Sequence, residues 1–475
     1  MEAQSLSVKR AEVEFHKFAS LGEPERAFAV YAEENVRRAA FIRAHREFIG
    51  AMSPFLEIGA NAGHTSYLLA NEFAAEGFAL DLSADALRYG AVLQEVWGLS
   101  RAPVRIAGDA LKLPFRDGSL RLVLAYQMLS QFMDIESVVV EVKRVLAPGG
   151  VFLFAEEPLR RRLTLGLYRC PYQERMKPWE RKLFDWGVLG YLVKDVVGAE
   201  QEESFGIHQN HSMYLRDWHR LIRKHFVAQE CEVVARERGW AQRWLKNLAV
   251  RLDPHRSLWR ATHLLGGTLG LVCRKEGSPS EMACAMERFE AFLCCPDCRG
   301  LFVRNAQQAL LCTRCGYRAP NEDGVYSLLP SAERQALYPG EREDIIDFSL
   351  PGHEAHLLEG WHELEGVYGN KYRWIGPRAS ARLTRVDSGP QRLRLRGFAH
   401  EQAFAQQRPV KVAVAANGKP LGEMTLHRPG LFLYEADLPR AAEYRLDISA
   451  SPTWSTPEDD RGFTVIISGI RLLPR

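Results

Sequence analysis

The sequence predicts an α/β domain built on a doubly wound, mostly parallel sheet of seven strands, followed by a small cysteine-rich segment and an all-β sandwich. Three observations support this fold class. Short apolar runs alternate with amphipathic helical runs over the first half of the chain. Two Cys-x-x-Cys pairs come next, and short strand-like segments separated by Gly, Pro and Asn turns fill the remainder. A chain of 475 residues is expected to form two to four domains.

The composition indicates a soluble globular protein, with 46% hydrophobic and 25% charged residues. The net charge of +3 is too small to indicate nucleic-acid binding. The N-terminal stretch lacks the apolar core of a secretory signal, and no apolar run is long enough for a transmembrane helix. Four of the nine cysteines form the two pairs and four others are scattered, which favours a reducing compartment over a disulfide framework. We therefore expect a cytoplasmic protein.

The front half repeats one strand-then-helix pattern. Residues 10–50 are predicted to be helical, and "PFLEIGANAGHTSYLLANEF" then predicts a strand at 55–58, a turn at 59–63 and a helix at 65–73. The segments "GFALDLSADAL", "VRIAGDALKLPF", "LRLVLAYQMLSQF" and "LAPGGVFLFAEEP" continue the alternation. Alternating strands and helices predict a parallel sheet, whose ligand binds at the carboxyl ends of the strands.

The glycine turn does not match a dinucleotide fingerprint, because Asn61 and His64 stand where that motif needs glycine and a small residue. What remains is Glu57-x-Gly59-x-x-x-Gly63, with an acid in the strand and two glycines around the turn. These glycines allow the backbone to approach a ligand closely, and the next helix offers free N–H groups to a carboxylate.

Two further acids follow neighbouring strands. Asp81 ends the second strand, where a carboxylate can accept hydrogen bonds from both hydroxyls of a ribose. Asp109, in "GDALKLPF", is placed to accept a hydrogen bond from an exocyclic amine.

The segments "LEIGANAGHTS", "ALDLS", "GDALKLPFRDGSLRLVLAYQML" and "EVKRVLAPGGVFLFAEE" resemble, in order and spacing, the class I S-adenosylmethionine-dependent methyltransferases. The resemblance runs from about Tyr31 to Lys275, and it implies a Rossmann-like domain at residues 1–277 with S-adenosylmethionine as its cofactor. It implies that Glu57, Gly59, Asn61 and Gly63 hold the methionine end, Asp81 the ribose and Asp109 the adenine amine, with Leu82, Ala110 and Ala125 as further cofactor-binding residues.

An insertion at about residues 158–210 is expected to form a lid over the acceptor. Residues 160–185 carry eight Arg or Lys against three acids, with tryptophan at 179 and again just beyond at 186. This pattern predicts either a solvated lid with an aromatic core or a surface that contacts a membrane or a phosphate-bearing carrier. Candidates for a general base are His211, His208 and Glu157, with His211 preferred because it precedes the helix that resumes after the lid. The histidines could equally serve capping and packing.

The two cysteine pairs are Cys295–Cys298 and Cys312–Cys315. Four thiolates at this spacing predict a closed tetrahedral zinc site, which leaves no open position for catalysis. The stretch resembles the Trm112-like zinc ribbons that accompany methyltransferases as subunits or fused segments. We expect a structural zinc within a linker-and-ribbon segment at residues 278–330, and cofactor affinity that survives removal of the metal.

Residues 331–475 are predicted to form the β-sandwich, with a tight hairpin at "AANGKP". On Trp361, Glu363, Arg373, Trp374 and Arg461 this part resembles accessory sandwiches of enzymes that build surface polysaccharides. Trp361 and Trp374 are expected either to stack on sugar rings or to pack in the core.

The function expected from these resemblances is O-methylation of a sugar hydroxyl on a glycan or lipid-linked glycan precursor, in the cytoplasm and at the inner face of the membrane. Three alternatives stay open: an RNA methyltransferase, a small-molecule natural-product O-methyltransferase, and a non-catalytic cofactor-binding scaffold. Against RNA, no Lys/Arg face with regular aromatic interleaving marks a nucleic-acid groove. The sequence does not indicate the oligomeric state.

Overall fold

The structure is a computed structural model of the chain. It describes residues 24–132, 134–159, 213–235, 267–278, 285–367, 370–386, 388–405, 408–456 and 459–474, together with residues 6, 9, 10, 13, 167, 168, 179, 190, 191 and 244. The predicted lid lies largely outside these residues, and so do His208 and His211. The chain divides into two compact units, one formed by Met1–Val13 and Val30–Arg334 and the other by Glu14–Ala29 and Gln335–Arg475.

The α-helices of the described residues are α1 (Pro24–Ala44), α2 (Arg46–Ile49), α3 (His64–Glu72), α4 (Ala84–Val96), α5 (Ile135–Val145), α6 (Leu215–His225) and α7 (Ser331–Leu337). Short 3₁₀ turns lie at Ala110–Lys112, Leu129–Gln131, Met286–Phe292, Pro351–His356 and Glu401–Phe404. Within the described residues, no helix has the length and apolar character needed to cross a membrane.

The strands up to the cysteine-rich segment are β1 (Phe55–Ile58), β2 (Gly77–Asp81), β3 (Val104–Ala107), β4 (Leu120–Tyr126), β5 (Leu146–Leu159), β6 (Leu167–Tyr168), β7 (Gly190–Tyr191), β8 (Ala228–Ala235) and β9 (Gly267–Arg274). The cysteine-rich segment adds β10 (Phe302–Arg304), β11 (Leu310–Cys312), β12 (Arg318–Ala319), β13 (Asn321–Glu322) and β14 (Val325–Ser327). The strands predicted from the front half are therefore confirmed.

The main sheet has the order β13-β14-β3-β2-β1-β4-β5-β9-β8 in the described residues. Strands β14, β3, β2, β1, β4 and β5 are parallel, while β9, β8 and β13 run antiparallel to their neighbours. Seven of these strands come from the front half, as predicted. The prediction of a seven-stranded sheet is nevertheless wrong, because the hairpin β13–β14 adds two strands from beyond the cysteine pairs.

Helices cover both faces of this sheet. Leu56, Phe78 and Val123 belong to the core on one face, and Phe55 and Leu122, from neighbouring positions, belong to the core on the other. Successive strand residues point to opposite faces, so a strand covered on both sides must be apolar throughout. This explains the uninterrupted apolar runs of the sequence.

Local polar contacts fix where the helices begin. Ser83 accepts a hydrogen bond from the backbone N–H of Ala86 at the start of α4, and Asp134 accepts one from Ser137 N–H at the start of α5. Such caps satisfy backbone donors that have no partner inside the helix.

The cysteine-rich segment belongs to the first unit. Strands β10, β11 and β12 form a small antiparallel sheet. The chain then leaves that sheet, and β14 pairs in parallel with β3, where Val325 lies opposite Arg105 and Ser327 opposite Ala107. The sequence predicted a separate segment at 278–330, whereas the structure joins this segment to the main sheet.

The second unit contains β15 (Ile345–Asp347), β16 (Trp361–Val367), β17 (Asn370–Ile375), β18 (Arg378–Thr384), β19 (Gln391–Ala399), β20 (Val410–Ala416), β21 (Lys419–Leu426), β22 (Gly430–Asp437), β23 (Glu443–Ser451), β24 (Trp454–Thr456), β25 (Asp459–Phe463) and β26 (Ile466–Pro474). One antiparallel sheet has the order β16-β17-β26-β19-β22 with β15 beside β26, and the other the order β18-β23-β20-β21. Both sheets contribute to one hydrophobic core, as in a β-sandwich.

Two tryptophans of the second unit face inward. Trp374 is buried, packs its ring 5.4 Å from that of Trp454, and donates its indole N–H to Glu365. Trp361 is half-buried and donates to the carbonyl of Ser380 at 2.7 Å. Of the two roles left open by the sequence, this geometry supports core packing.

Candidate cofactor site and metal centre

The predicted cofactor residues lie at one edge of the main sheet. Strands β1, β2 and β3 are parallel neighbours, with Ile58 opposite Leu80 and Asp81 opposite Ala107. Their carboxyl ends therefore present the glycine turn, Asp81 and the loop of Asp109 side by side. This is the position at which ligands bind in open α/β sheets.

The glycine turn depends on left-handed backbone conformations. Gly59 has φ +66°, Asn61 +52° and Gly63 +76°. A β-carbon on Gly59 would overlap the side chain of Met128, so only glycine fits there. Gly63 precedes the first residue of α3 and leaves the N-terminal backbone of that helix facing the turn.

Asp81 ties the glycine turn to β2. Its Oδ2 accepts a hydrogen bond from Asn61 N–H at 2.7 Å, and its Oδ1 accepts one from Ser83 N–H at 2.8 Å. The carboxylate is 5% exposed. A carboxylate can accept about four hydrogen bonds, so these two contacts are compatible with further bonds from ribose hydroxyls.

Glu57 lies beneath the turn and is buried. The hydroxyl of Ser66 donates to its Oε2 at 2.5 Å. Burial raises the pKa of Glu57, and the nearby His64, Ser66 and Arg38 oppose that shift only in part. The Glu57 carboxyl thus forms the polar floor of the predicted methionine end.

One face of α1 covers the same turn. The Tyr31 ring stacks on His64 at 4.4 Å, and its hydroxyl donates to Asn61 Oδ1 at 3.4 Å. Burial, with Tyr89 and Glu34 nearby, raises the pKa of Tyr31 to about 12. The sequence reasoning missed Tyr31 and Arg38, although their spacing along one helical face could have indicated a common role.

Arg38 is buried and forms a clamp between α1 and the sheet edge. Its guanidinium donates to Thr65 Oγ1 at 2.8 Å and to Glu156 Oε2 at 3.0 Å, pairs with Glu34 at 3.2 Å, and lies 4.4 Å from the centre of the Tyr126 ring. Because several charges share one site, removing Arg38 would leave the half-buried Glu34 and Glu156 with only His64 and Arg37 as partners in the described part of the chain.

Asp109 follows β3 and is 4% exposed. Its Oδ1 accepts a hydrogen bond from Leu111 N–H at 2.9 Å, and its Oδ2 accepts one from the ammonium of Lys9 at 2.8 Å. The remaining predicted residues lie along the same edge: Leu82 directly follows β2, Ala110 opens the 3₁₀ turn, and Ala125 is near the end of β4 with its methyl group in the core.

Glu157 has a geometry that does not favour the predicted role of general base. Its side chain is fully buried, Oε1 accepts backbone N–H bonds from Met128 and Leu129, and Oε2 accepts one from Ser130 at 3.0 Å. Burial raises the pKa of Glu157, and these bonds oppose the shift in part. A carboxylate engaged in this way anchors the loop after β4, which leaves the two histidines as the base candidates.

The four predicted metal ligands meet in space. The Sγ atoms of Cys295, Cys298, Cys312 and Cys315 all lie within 4.8 Å of one another. The Cys295–Cys315 and Cys298–Cys312 pairs are 3.6 and 3.5 Å apart. A tetrahedron with Zn–S bonds of about 2.3 Å places its sulfur atoms about 3.8 Å apart, so the cluster fits zinc after small shifts of the sulfur atoms.

Gly300 completes this centre. A β-carbon there would lie 2.9 Å from Cys312 Sγ and 3.2 Å from Cys298 Sγ. The backbone at Gly300 therefore lies so close to the thiols that there is little room for the β-carbon that every other residue type carries.

The cysteine-rich segment also holds the loop that carries Asp109. The Arg299 guanidinium donates to the carbonyl of Leu113 at 2.9 Å, Cys294 N–H donates to the carbonyl of Pro114, and Leu328 N–H donates to the carbonyl of Ala107 at 2.8 Å. These bonds hold the start and the middle of the loop between β3 and β4. The sequence offered no signal for this contact, because its partners are far apart along the chain.

Residues 56–154 match the model of the family described as "Methyltransferase domain". The chain is 29% identical to norajmaline N-methyltransferase of Rauvolfia serpentina over 27% of this chain and 41% of that protein. It is 28% identical to the chloroplastic tocopherol O-methyltransferase of Arabidopsis thaliana, over 32% of this chain and 41% of that one. The chain thus spans less than half the length of these curated relatives.

Among solved structures, the chain is similar to phosphoethanolamine N-methyltransferase 2 of Haemonchus contortus in complex with S-adenosyl-L-methionine. The identity is 16%, the TM-score is 0.31, and the match covers 51% of this chain and 52% of that one.

Proposed function

We propose that the methyltransferase domain of this chain binds S-adenosylmethionine and transfers its methyl group to a hydroxyl of a glycan or lipid-linked glycan precursor. One observation mainly supports the assignment of S-adenosylmethionine as the cofactor. The glycine turn, Asp81 and the Asp109 loop meet at one edge of the sheet. The match of residues 56–154 to a methyltransferase family model supports the same assignment.

Each of these groups suits one part of the cofactor. The glycine turn and the start of α3 would receive the methionine carboxylate, with Glu57 beneath its ammonium. Asp81 would accept from the ribose hydroxyls, and Asp109 from the adenine amine. Bound S-adenosylmethionine supplies the sulfonium methyl group, so the residues of the chain need only orient the reactants and accept the proton of the acceptor hydroxyl.

For that proton we propose His211, with His208 as second candidate. A sugar hydroxyl is a poor nucleophile at neutral pH and benefits from a base within hydrogen-bond distance. His208 and His211 shortly precede Met213 in the sequence, and the backbone of Met213 bridges to that of Leu159 at the carboxyl end of β5. His211→Ala should lower turnover by about 10²–10⁴-fold and leave the cofactor affinity unchanged.

The glycan acceptor is supported by the all-β unit that follows the cysteine-rich segment, with its sequence resemblance to polysaccharide-building enzymes. A small lipid-like or alkaloid acceptor is the second candidate, because the curated relatives include tocopherol O-methyltransferase and norajmaline N-methyltransferase. An RNA acceptor has no comparable support in the described residues.

The acceptor can be identified with the full-length protein and methyl-labelled S-adenosylmethionine. Cell extracts are separated into glycan and lipid-linked glycan, small-lipid and RNA fractions, and each is incubated with wild type or His211→Ala. Label that enters the glycan fractions and depends on His211 supports the proposal. Label confined to the small-lipid or RNA fraction would replace the glycan acceptor, and no transfer to any fraction would favour a non-catalytic scaffold.

We also propose that the cysteine cluster binds one structural zinc, and that the enzyme works in the cytoplasm at the inner face of the membrane. The fit of the four thiols to tetrahedral zinc supports the first point. The basic residues at 160–162 support the second, since such clusters bind anionic lipids. Sedimentation with anionic liposomes should be lost when these three arginines are replaced by Glu, and equal sedimentation of both proteins would contradict membrane contact.

A further inference from the structure

The buried carboxylate of Asp109 is held from two sides. Leu111 N–H binds Oδ1, and the Lys9 ammonium binds Oδ2 at 2.8 Å. Lys9 also donates to Glu333 Oε2 at 2.7 Å. The Lys9 side chain is 14% exposed and that of Glu333 is 19% exposed, so water screens this trio of charges only weakly.

Neither Lys9 nor Glu333 lies within residues 56–154, which match the family model. Lys9 precedes the sheet, and Glu333 lies in α7, after the cysteine-rich segment. Ser331, at the start of α7, donates to Asp297 between the first two cysteines, so α7 is tied to the metal centre. The contact at Asp109 is therefore made by two distant parts of the chain.

We infer that Lys9 and Glu333 are positioning residues for the adenine end of the cofactor, and that by fixing the Asp109 carboxylate they set the preference for a 6-amino over a 6-oxo purine. This inference rests on the proposed cofactor function. A carboxylate accepts hydrogen bonds and cannot donate them. A fixed carboxylate therefore favours the amine of adenine and repels the oxygen of a 6-oxo base.

The charges are consistent with this role. Burial lowers the pKa of Lys9, but Asp109 and Glu333 more than offset burial, so the pKa of Lys9 is raised and the side chain stays an ammonium donor. One cation shared by two carboxylates leaves a net negative charge for the amine. The two hydrogen bonds on Asp109 leave one acceptor position free on each of its oxygens.

The test measures dissociation constants by calorimetry for S-adenosylhomocysteine and its 6-oxo analogue S-inosylhomocysteine. Lys9→Met should weaken S-adenosylhomocysteine binding by about tenfold, as expected for loss of a charge-assisted contact, and leave the analogue unchanged. In an Asp109→Asn background, Lys9→Met should have no further effect, because Lys9 acts through Asp109. Lys112→Met, which changes an exposed lysine three residues from Asp109, is the matched control.

Glu333→Gln provides a second variant with a smaller loss in the same direction, and thermal unfolding shows whether each variant is folded. An unchanged preference in Lys9→Met and Glu333→Gln would overturn the inference. Equal weakening of both ligands would also overturn it, since this indicates a role in stability alone. If the wild-type protein binds neither ligand, the proposed cofactor function fails together with the inference.

Discussion

The backbone N–H of Asn61 donates a hydrogen bond of 2.7 Å to the Asp81 carboxylate, and so joins the glycine turn after β1 to the end of β2. Asp81 thus shapes the turn proposed to receive the methionine end, and it is also the residue proposed to accept hydrogen bonds from the ribose. A change at Asp81 should therefore affect both ends of the cofactor.

Asp81→Ala should weaken S-adenosylmethionine binding by about 2–3 kcal/mol, because the ribose hydroxyls and Asn61 N–H lose a charged acceptor. Calorimetry with the purified full-length protein measures the change. Asp117→Ala is the control. The Asp117 side chain is 80% exposed and lies just before the amino end of β4, whereas Asp81 lies at the carboxyl end of the parallel strand β2. Wild-type affinity in Asp81→Ala would remove Asp81 from the site.

Gly59→Ala should destabilise the protein and abolish measurable cofactor binding. The added methyl group meets two obstacles, a left-handed backbone at φ +66° and the side chain of Met128. Gly98→Ala tests the effect of the left-handed backbone alone. Gly98 has φ +61°, and a β-carbon added there would have no other atom within 4 Å.

We expect Gly98→Ala to cost about 1 kcal/mol of unfolding free energy with normal cofactor binding. Chemical denaturation and calorimetry on both variants give the comparison. If the two glycine variants behave alike, the close approach of Met128 has no consequence for the site.

Glu57→Gln should change the pH dependence of stability. Burial raises the pKa of Glu57 above its ordinary value of 4.5. The folded state then binds more protons than the unfolded state, so this contribution to stability is complete below pH 4.5 and is lost as pH rises through the raised pKa. The glutamine variant has no such loss.

The midpoint of thermal unfolding should therefore rise in Glu57→Gln relative to wild type as pH increases from about 4.5 to 8. Glu76→Gln, at an exposed position, is the control for the loss of a carboxyl group as such. A curve for Glu57→Gln parallel to that of the wild type would show that Glu57 is not a significant proton-linked group in folding.

Removal of the metal should lower both stability and cofactor affinity. Fresh protein is expected to contain one zinc per chain, measured by elemental analysis, and Cys298→Ser should lose it. Because the cysteine-rich segment holds the loop that carries Asp109, we expect cofactor binding to weaken by about tenfold in Cys298→Ser. Cys231→Ser, which changes a thiol outside the cluster, should keep both properties.

This expectation replaces the one drawn from the sequence, in which cofactor affinity survived removal of the metal. Protein that is free of metal when isolated would contradict the zinc assignment. Protein that loses zinc and yet binds cofactor normally would restore the view of an independent ribbon.

The sequence allowed the front sheet to be predicted because each strand is a compact apolar run flanked by a turn. Glu57, Gly59, Asp81 and Asp109 could be placed because they lie in, at the end of, or just after those runs. The four cysteines were equally clear, since their spacing by itself specifies a tetrahedral site.

Other features had no local signal. Strand β14 has only three residues, and its partner β3 precedes it by more than two hundred positions, so periodicity could not indicate the pairing. Lys9 is one lysine in a charged N-terminal stretch, and only the fold brings it to Asp109. Glu157 ends a predicted strand as a base would, but its oxygens are occupied by backbone groups that the sequence does not reveal.

The pairing of β14 with β3 has a practical consequence for expressing parts of this protein. A fragment ending near residue 277 would retain every strand of the front half and yet leave β3 as an open edge, with unpaired backbone donors and acceptors along Val104–Ala107. Open edges recruit strands from other molecules and promote aggregation. A soluble truncation should therefore extend at least through Ser327, and a cut at the apparent domain boundary would produce a chain that associates with itself.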